Sequence, residues 1–175
     1  MESARRATAD DAAVVADLAR SAIAELARLR GGSVWHRREA RREPLEPDLA
    51  AACAQDTDPT VVVGTIDDSV VGYGVMHLDV LHDGLLIAVV DDLYVLPDAR
   101  GVGVGEAMMN LLVESARKAG AIGVDAVALP GDRSTKNFFE SFGLVARAIT
   151  VHKSLDAGAA AAAPDDHGAT TPDPS

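Results

Sequence analysis

The sequence contains little cysteine and few aromatic residues. Cys53 is the only cysteine in the 175-residue chain, which excludes an internal disulfide and any metal cluster built on several cysteines. Phenylalanine, tyrosine and tryptophan together make up 3% of the residues, although 48% of the chain is hydrophobic. Valine, alanine and leucine must therefore supply most of the packing in the core, which a chain of this length is long enough to form.

Long apolar runs and excess positive charge are also absent. No apolar run approaches the ~20 residues of a membrane span, and the first residues, MESARR, lack the apolar segment of a signal peptide. The formal net charge of -11 argues against a nucleic-acid partner, because such proteins carry a basic stripe. It favours a cationic partner instead. We therefore expect a soluble cytoplasmic protein that binds neither nucleic acid nor membrane.

The composition divides the chain into a body and a tail. Residues 156–175 contain three prolines, two glycines and four aspartates, with no lysine or arginine and nothing large to bury. This composition predicts a low-complexity, disordered acidic tail. Residues 1–155 then form the one domain.

The body reads as mixed α and β, in the order β-α-α-β-β-β-α-β-α-β. Thr8 is a candidate cap for a first helix, which Gly31 and Gly32 would end. The runs TVVVGTI and SVVGYGVMHLDVL are β-rich and are joined by DDS, a hairpin signal. A helix is expected from Gly103 to Ala119, and the run LVARAITVHKSL predicts a last strand. This order predicts one sheet with helices on its faces.

The stretch DARGVGVGEAMM, from Asp98 to Met109, places three alternate glycines where a helix begins. A nucleotide-binding P-loop would need a lysine after Gly105, and a dinucleotide-binding fingerprint would need glycine at Glu106. The remaining pattern is R-x-x-G-x-G, and amides at a helix N-terminus bind a pyrophosphate when no side chain intervenes. The alternative is that the glycines only form a tight turn with close helix–strand packing.

In this context the sequence resembles the GNAT acyltransferase superfamily, whose members transfer an acyl group from coenzyme A to an amine. The segment DDLYVLPDARGVGVGEAMMNLLVESARKAG is similar to the main motif of the family, and VDAVALPGDRSTKNFFESFGL resembles its second motif. The resemblance implies an α/β fold with a mixed, mostly antiparallel, splayed central sheet and helices on both faces. It also implies acetyl-CoA as co-substrate and no metal.

The resemblance further implies which residues bind the donor. Backbone amides of the glycine loop would hold the coenzyme A pyrophosphate, with Arg100 opening the loop, and strand residues Leu93 and Val95 would line the pantetheine arm. Residues aligned with the second motif would lie near the cofactor. The implied positions are Leu93, Val95, Arg100, Gly101, Val102, Gly103, Val104, Gly105, Glu106, Asp132, Phe138 and Phe139.

Two aspartates interrupt an apolar strand, and a carboxylate in such a run is costly unless it is paired or functional. Strict alternation would place Asp91 with Leu93 and Val95, and Asp92 with Tyr94 on the other face. One reading is that an aspartate marks a bulge or pairs with an arginine. The other makes Asp91 the base that deprotonates the amine through an ordered water, with Asp92 the lesser candidate. The backbone amide of Val95 would then stabilise the oxyanion.

The second motif departs from the family pattern in two places. The family tyrosine that commonly protonates the leaving thiolate is replaced by Phe139, and Asp132 brings a negative charge near the implied phosphates. Two functions therefore stay open: an N-acetyltransferase acting on a small-molecule or protein amine, and a coenzyme A-binding sensory or accessory module with little turnover. Only one strand fits after Gly143, so the acceptor side would be open or completed by a second subunit in a homodimer.

Two further groups of polar residues have ordinary explanations. His77 and His82 lie near a strand end beside aspartates, but their spacing does not bring metal ligands together, so we interpret them as polar loop residues. A basic segment in the region where relatives shape the acceptor site alternates with Glu39 and Glu43. It indicates a solvated face, with an acidic acceptor as the alternative. Its arginines are Arg37, Arg38, Arg41 and Arg42.

Overall fold

A computed structural model describes residues 1–155, and the predicted tail at 156–175 lies outside the described residues. Residues Met1–Val145 form one compact unit. The strands are β1 (Glu2–Arg6), β2 (Thr60–Ile66), β3 (Ser69–Val80), β4 (Leu86–Val95) and β5 (Val124–Ala126). The helices are α1 (Ala12–Leu26), α2 (Gly32–Arg38), α3 (Glu46–Cys53), α4 (Val104–Lys118) and α5 (Arg133–Ser141), with 3-10 turns at Ala9–Asp11 and Pro97–Ala99.

The five strands form one sheet in the order β1-β2-β3-β4-β5. The first four strands pair antiparallel, whereas β4 and β5 run parallel. The turn between β2 and β3 contains Asp67 and Asp68 with φ of 46° and 66°, which is the backbone conformation that a tight hairpin requires. The predicted hairpin and the mixed, mostly antiparallel sheet are therefore confirmed.

Helices cover both faces of the sheet, as predicted. On one face, α1 and α3 pack through Val15, Leu18 and Leu49 against Tyr73 and its neighbours. On the other face, α4 packs against the sheet through its own apolar stripe. Successive residues of β2 enter opposite layers, because side chains alternate along a strand. The α4 layer contains Met108, Met109 and Leu112 together with Val62 and Met76.

An ion pair fixes the connection between β1 and the first helix. The Asp11 carboxylate accepts hydrogen bonds from the Thr8 amide at 2.8 Å and from the Arg5 guanidinium at 2.7 and 2.8 Å. The hydrogen bond from Arg5 is the largest of the effects that lower the pKa of Asp11 to about 2. Thr8 thus lies at the predicted helix start, but the hydrogen bond there runs from the Thr8 amide to the Asp11 carboxylate.

Two sequence predictions about secondary structure are wrong: the end of the first helix and the presence of a last strand. Helix α1 ends at Leu26, and Gly31, with φ of 80°, instead precedes α2. The predicted last strand between Leu144 and Leu155 has no regular secondary structure. A strand requires a neighbour that completes its backbone hydrogen bonds, and no described strand pairs with this segment.

Candidate active site

The central feature of the site is a β-bulge at Asp91. In the ladder between β3 and β4, Met76 pairs with Val90 and Val75 pairs with Asp92, so Asp91 is an extra residue without a partner. A bulge interrupts side-chain alternation. Leu93 and Val95 pack in the α4 layer, whereas Tyr94 belongs to the layer of α1 and α3. The alternative of an aspartate at a bulge is therefore confirmed, and the strict alternation on which the predicted face of Asp91 depends does not hold across the bulge.

Asp92 is held in a partly buried network on the α1 and α3 side of the sheet. Its Oδ1 accepts a hydrogen bond from the Tyr73 hydroxyl at 3.1 Å, and its Oδ2 accepts one from Arg41 Nε at 2.7 Å. The Asp92 side chain is only 15% exposed. Burial, followed by the charge of Asp92, raises the pKa of Tyr73 far above its ordinary value. Both oxygens of Asp92 thus have partners, so Asp92 anchors the segment that carries Arg41.

Asp91 instead contacts a histidine. His77 Nδ1 lies 2.7 Å from Asp91 Oδ2, and His77 Nε2 lies 3.3 Å from Asp79 Oδ1. Burial raises the pKa of Asp91 above its ordinary value, against the opposing hydrogen bond and charge of His77. Burial lowers the pKa of His77, but the hydrogen bond and charge of Asp91, with those of Asp79, outweigh it and leave that pKa raised. The geometry therefore provides a carboxylate that is a stronger base than an exposed aspartate.

The sequence alone does not indicate that His77 belongs to the site. Its position near a strand end beside aspartates suggested an ordinary polar residue, yet it lies within β3 and pairs with Val89 of β4. The contact with Asp91 depends on the register of two strands and on the bulge between them. A single sequence gives no direct signal for either.

Past the bulge, β4 has an open edge. β4 and β5 pair only from Ala88 to Val90, and no strand in the described chain pairs with that edge of β4 beyond this point. The Leu96 amide donates to the Val71 carbonyl at 2.9 Å. Since antiparallel pairing alternates the direction of main-chain groups, those of Leu93 and Val95 point away from β3. They face the cleft where β4 and β5 diverge.

The glycine loop lies between this edge and α4. Gly101 and Gly103 have φ of 80° and 99°, and Gly103 is the N-cap of α4. A Cβ at Gly101 would meet no atom within 4 Å, whereas one at Gly105 would lie 3.4 Å from the Phe138 ring. The first glycine thus borders open space and the last one packs closely. Helix geometry leaves the amides of Val104, Gly105 and Glu106 without intrahelical acceptors.

Arg100 is tied to protein groups in this structure. Its Nε donates to the Val95 carbonyl at 2.8 Å, and its terminal nitrogens contact the Glu25 carboxylate at 3.0 and 2.8 Å. The guanidinium also lies over the Tyr94 ring, 5.4 Å from its centroid. Arg100 therefore connects the loop to β4 and to α1.

The residues of the second motif have structural roles in α5. Asp132 is its N-cap, and its carboxylate accepts the Thr135 amide at 3.0 Å and the Thr135 hydroxyl at 2.6 Å. Burial raises the pKa of Asp132, but the hydrogen bonds from Thr135 outweigh it, so the pKa is lowered. Phe139 is buried in the α4 layer, and Phe138 packs edge to face with it, 5.7 Å between ring centroids. Capping thus explains why a charged residue occurs at Asp132.

Two other features of the described residues bear on function. Among residues 1–155, no group of three or more histidine, cysteine or acidic side chains is placed to hold a metal ion. In the same part of the chain, no helix has the length and apolar character needed to cross a membrane.

Comparisons with known proteins agree with this geometry. The acetyltransferase (GNAT) family model matches residues 21–144, while no curated protein matches the chain. A tetramutant of the BH1408 protein from Bacillus halodurans has a TM-score of 0.71 at 21% identity, covering 87% of this chain and 99% of that one. A ribosomal-protein-alanine N-acetyltransferase from Brucella melitensis biovar Abortus 2308 has a TM-score of 0.64 at 17% identity, covering 89% of this chain and 100% of that one. An aminoglycoside acetyltransferase from an uncultured soil metagenomic sample, in complex with sisomicin, has a TM-score of 0.65 at 18% identity, covering 89% of this chain and 95% of that one.

Proposed function

The chain belongs to the acetyltransferase (GNAT) family, and we propose that it transfers an acetyl group from acetyl-CoA to an amine that attacks directly in a ternary complex. The observation that carries the proposal is the bulge at Asp91, which presents a carboxylate where β4 and β5 diverge. Two neighbours in the fold are described as acetyltransferases of a ribosomal-protein alanine and of aminoglycosides. Both descriptions support an amine as the acceptor here, on a protein or on a small molecule.

The donor would bind along the glycine loop and the open edge of β4. Amides from Val102 to Glu106 would hold the pyrophosphate, because the open space at Gly101 lets an anion approach the backbone. The main-chain groups of Leu93 face the cleft and would hydrogen-bond the pantetheine arm, and Val95 would line that arm. Acetyl-CoA supplies the thioester whose carbonyl carbon accepts the amine.

Arg100 would act on the loop rather than grip a phosphate in the state described. Its hydrogen bond to the Val95 carbonyl fixes the loop against β4, and Glu25 neutralises much of its charge. The Val95 carbonyl is therefore occupied, and the Val95 amide is left to face the cleft. This amide is our candidate for stabilising the tetrahedral oxyanion.

Asp91 would accept the proton of the amine. An alkylammonium has a pKa of ~10.4 and cannot attack until it loses a proton, so a nearby carboxylate of raised pKa favours the reaction. The N–H bond breaks as the new C–N bond forms, Asp91 takes the proton directly or through water, and the C–S bond then breaks. Asp92 is the lesser candidate, since Tyr73 and Arg41 already occupy both of its oxygens.

His77 would act as a positioning residue for Asp91. Its Nδ1 engages one carboxylate oxygen, which leaves the other oxygen for the acceptor or a water. Protonated His77 stabilises the ionised form of Asp91 and so weakens it as a base. The pH at which His77 loses its proton would therefore set the pH above which Asp91 works best.

The second candidate function is a coenzyme A-binding module with little turnover. The observation that favours it is Phe139, a buried residue without a hydroxyl at the position where the family resemblance implies a proton donor for the thiolate. A thiol of pKa ~8.5 is a tolerable leaving group without such help. Water is then sufficient to protonate it, so we place the enzyme first.

The proposal is tested by binding and turnover measured on the same preparation. Titration calorimetry with acetyl-CoA and with free coenzyme A tests the donor site, and thiol release with a panel of amines tests transfer. Asp91→Asn should lower kcat/KM by ~10²–10⁴ and leave acetyl-CoA affinity unchanged. Asp91→Glu retains a carboxylate and is the matched control, with at least a tenth of the activity kept.

The outcomes separate the two candidate functions. Micromolar acetyl-CoA binding with thiol release that depends on Asp91 supports the acetyltransferase. Normal binding with no release from any amine favours the accessory module. Transfer at the wild-type rate by Asp91→Asn would refute the role of Asp91 as base.

A further inference from the structure

A groove lies between α1 and the segment that links α2 to α3. Its volume is about 490 Å³, and its floor is apolar, formed by Ile23, Ala24, Ala27 and Leu45. Charged side chains surround this floor. The groove shares Arg41 with the network at the bulge, because Arg41 Nε also contacts Asp92, the neighbour of Asp91.

The charges around the groove are only partly neutralised. Arg20 pairs with Glu43 at 2.7 Å and with Glu46 at 2.6 Å. By contrast, Arg42 and His36 form no ion pair with any described residue. Arg20 also contacts Asp17, and Arg41 contacts Asp92, so Arg42 is the lining arginine that has no carboxylate partner among the described residues.

The terminal guanidinium nitrogens of Arg41 are available as hydrogen-bond donors. Among the described residues, only its Nε is hydrogen-bonded, to Asp92, and the side chain is 27% exposed. Every buried side-chain nitrogen or oxygen in the described part of the chain has a partner. The unpaired terminal nitrogens of Arg41 are therefore open to solvent at the groove, where a guanidinium fork can bind a carboxylate through two hydrogen bonds.

We propose that the acceptor amine also carries a carboxylate, which Arg41 and Arg42 bind in this groove while an apolar part of the acceptor covers the floor. The inference rests on the proposed function and names its substrate class: amino acids or peptides with an apolar side chain. Their ammonium group would lie toward Asp91 and their carboxylate toward the arginines. This assignment runs against the cationic acceptor suggested by net charge, because Arg42 and the terminal nitrogens of Arg41 provide donors for a carboxylate at the groove.

The basic segment thus has two parts. Arg41 and Arg42 line the groove, whereas Arg37 and Arg38 are exposed on α2 and do not line it. For Arg41, the expectation of a solvated face is wrong, since its side chain is mostly buried and paired. Arg37 is therefore a control for Arg42: both are exposed, have no ion pair and carry the same charge.

The test compares L-phenylalanine with phenethylamine, which differs only by lacking the carboxylate. Thiol release is measured at saturating acetyl-CoA for wild type, Arg42→Gln and Arg37→Gln. Arg42→Gln should lower kcat/KM for L-phenylalanine about tenfold, mainly by raising KM. It should change kcat/KM for phenethylamine less than twofold. Arg37→Gln should change neither. Because each acceptor is compared with itself across variants, the different pKa values of the two amines cancel.

Arg41→Lys provides a second, independent variant. It keeps the positive charge beside Asp92 but removes the two-pronged guanidinium, so kcat/KM should fall more for L-phenylalanine than for phenethylamine. Equal losses for both acceptors, or none for either, would overturn the proposal. Transfer confined to amines without a carboxylate, such as sisomicin, would overturn it while the proposed function stands. Acetyl-CoA binding without transfer to any amine would refute both.

Discussion

The two sides of the candidate site are built in different ways. The proposed donor side, comprising Leu93 to Glu106, is one continuous segment whose main-chain groups and glycines shape the cleft. The proposed acceptor side, comprising the Asp91 bulge with His77 and Arg41, is assembled from side chains that are far apart in sequence. Asp91 and His77 are 14 positions apart, and Arg41 and Asp92 are 51 apart. Backbone conformation therefore governs the first side, and charge pairing governs the second.

The sharpest way to test this contrast is to disturb the backbone of the donor side alone. Gly103→Val places a branched residue at φ of 99°, and its Cβ would lie 3.5 Å from Glu2 Cγ. Strain of about 1–3 kcal/mol should shift the loop and lower acetyl-CoA affinity by roughly 10- to 100-fold. Calorimetry measures the change. Gly120→Val is the control, because Gly120 has φ of 79° with open space around it at the far end of α4.

Both variants should lose stability, but only Gly103→Val should lose affinity. If Gly103→Val bound acetyl-CoA as wild type does, the loop backbone would not be the donor site. The three glycines would then serve the turn and the packing against Phe138 only.

On the acceptor side, the informative change removes one charge partner. His77→Gln should lower kcat/KM about tenfold at pH 8, because Asp91 loses the group that orients it. In wild type, kcat/KM should rise as pH rises through the raised pKa of His77. The ionisable groups facing His77 are Asp91 on β4 and Asp79 on β3.

The pH profile distinguishes this role from a general loss of packing. His77→Gln should lack the inflection that His77 produces, while acetyl-CoA affinity stays unchanged. His82→Gln is the matched control, since His82 is exposed on the β3–β4 loop. A profile in His77→Gln that keeps the wild-type inflection would assign that ionisation to the acceptor amine.

The same contrast explains which parts could be predicted from the sequence. The hairpin and α4 follow from local turn chemistry and periodicity, the sheet type follows from the family resemblance, and the glycine loop follows from a contiguous motif. The bulge at Asp91, the His77 contact and the division of the arginines depend on strand register and on chain segments brought together by the fold. The last strand was predicted from its β-rich composition, but composition does not supply the neighbouring strand that a ladder needs.

A third comparison uses an ion pair outside the site. Asp11→Asn should lower the free energy of unfolding by about 1 kcal/mol at pH 7, after allowance for solvent screening at the half-exposed Arg5. The pKa of Asp11 is lowered to about 2 in the folded state. Its stabilising effect is therefore complete above the unfolded pKa near 4 and disappears as pH falls toward 2. Denaturant unfolding at pH 7 and pH 3 measures this.

Asp11 and Arg5 lie in the connection to the first helix, so acetyl transfer should be unchanged in Asp11→Asn at pH 7. The gap in stability between wild type and variant should narrow at pH 3. A gap that stayed constant with pH would mean that the carboxamide disturbs the backbone bond to Thr8 rather than removing a charge pair.

The smallest expected effect comes from a long-range ion pair that reaches the donor side. Glu25 on α1 lies 75 positions from Arg100 and neutralises its guanidinium beside the glycine loop. Glu25→Gln should therefore raise acetyl-CoA affinity about threefold at low salt, and the gain should vanish near 1 M salt because charges are then screened within ~3 Å. Glu114→Gln removes the same charge from an exposed pair with Lys118 at the far end of α4, and it should change affinity less. A fall in affinity in Glu25→Gln would instead show that Glu25 holds the loop in place through Arg100, so that the donor side, too, depends on side-chain pairing.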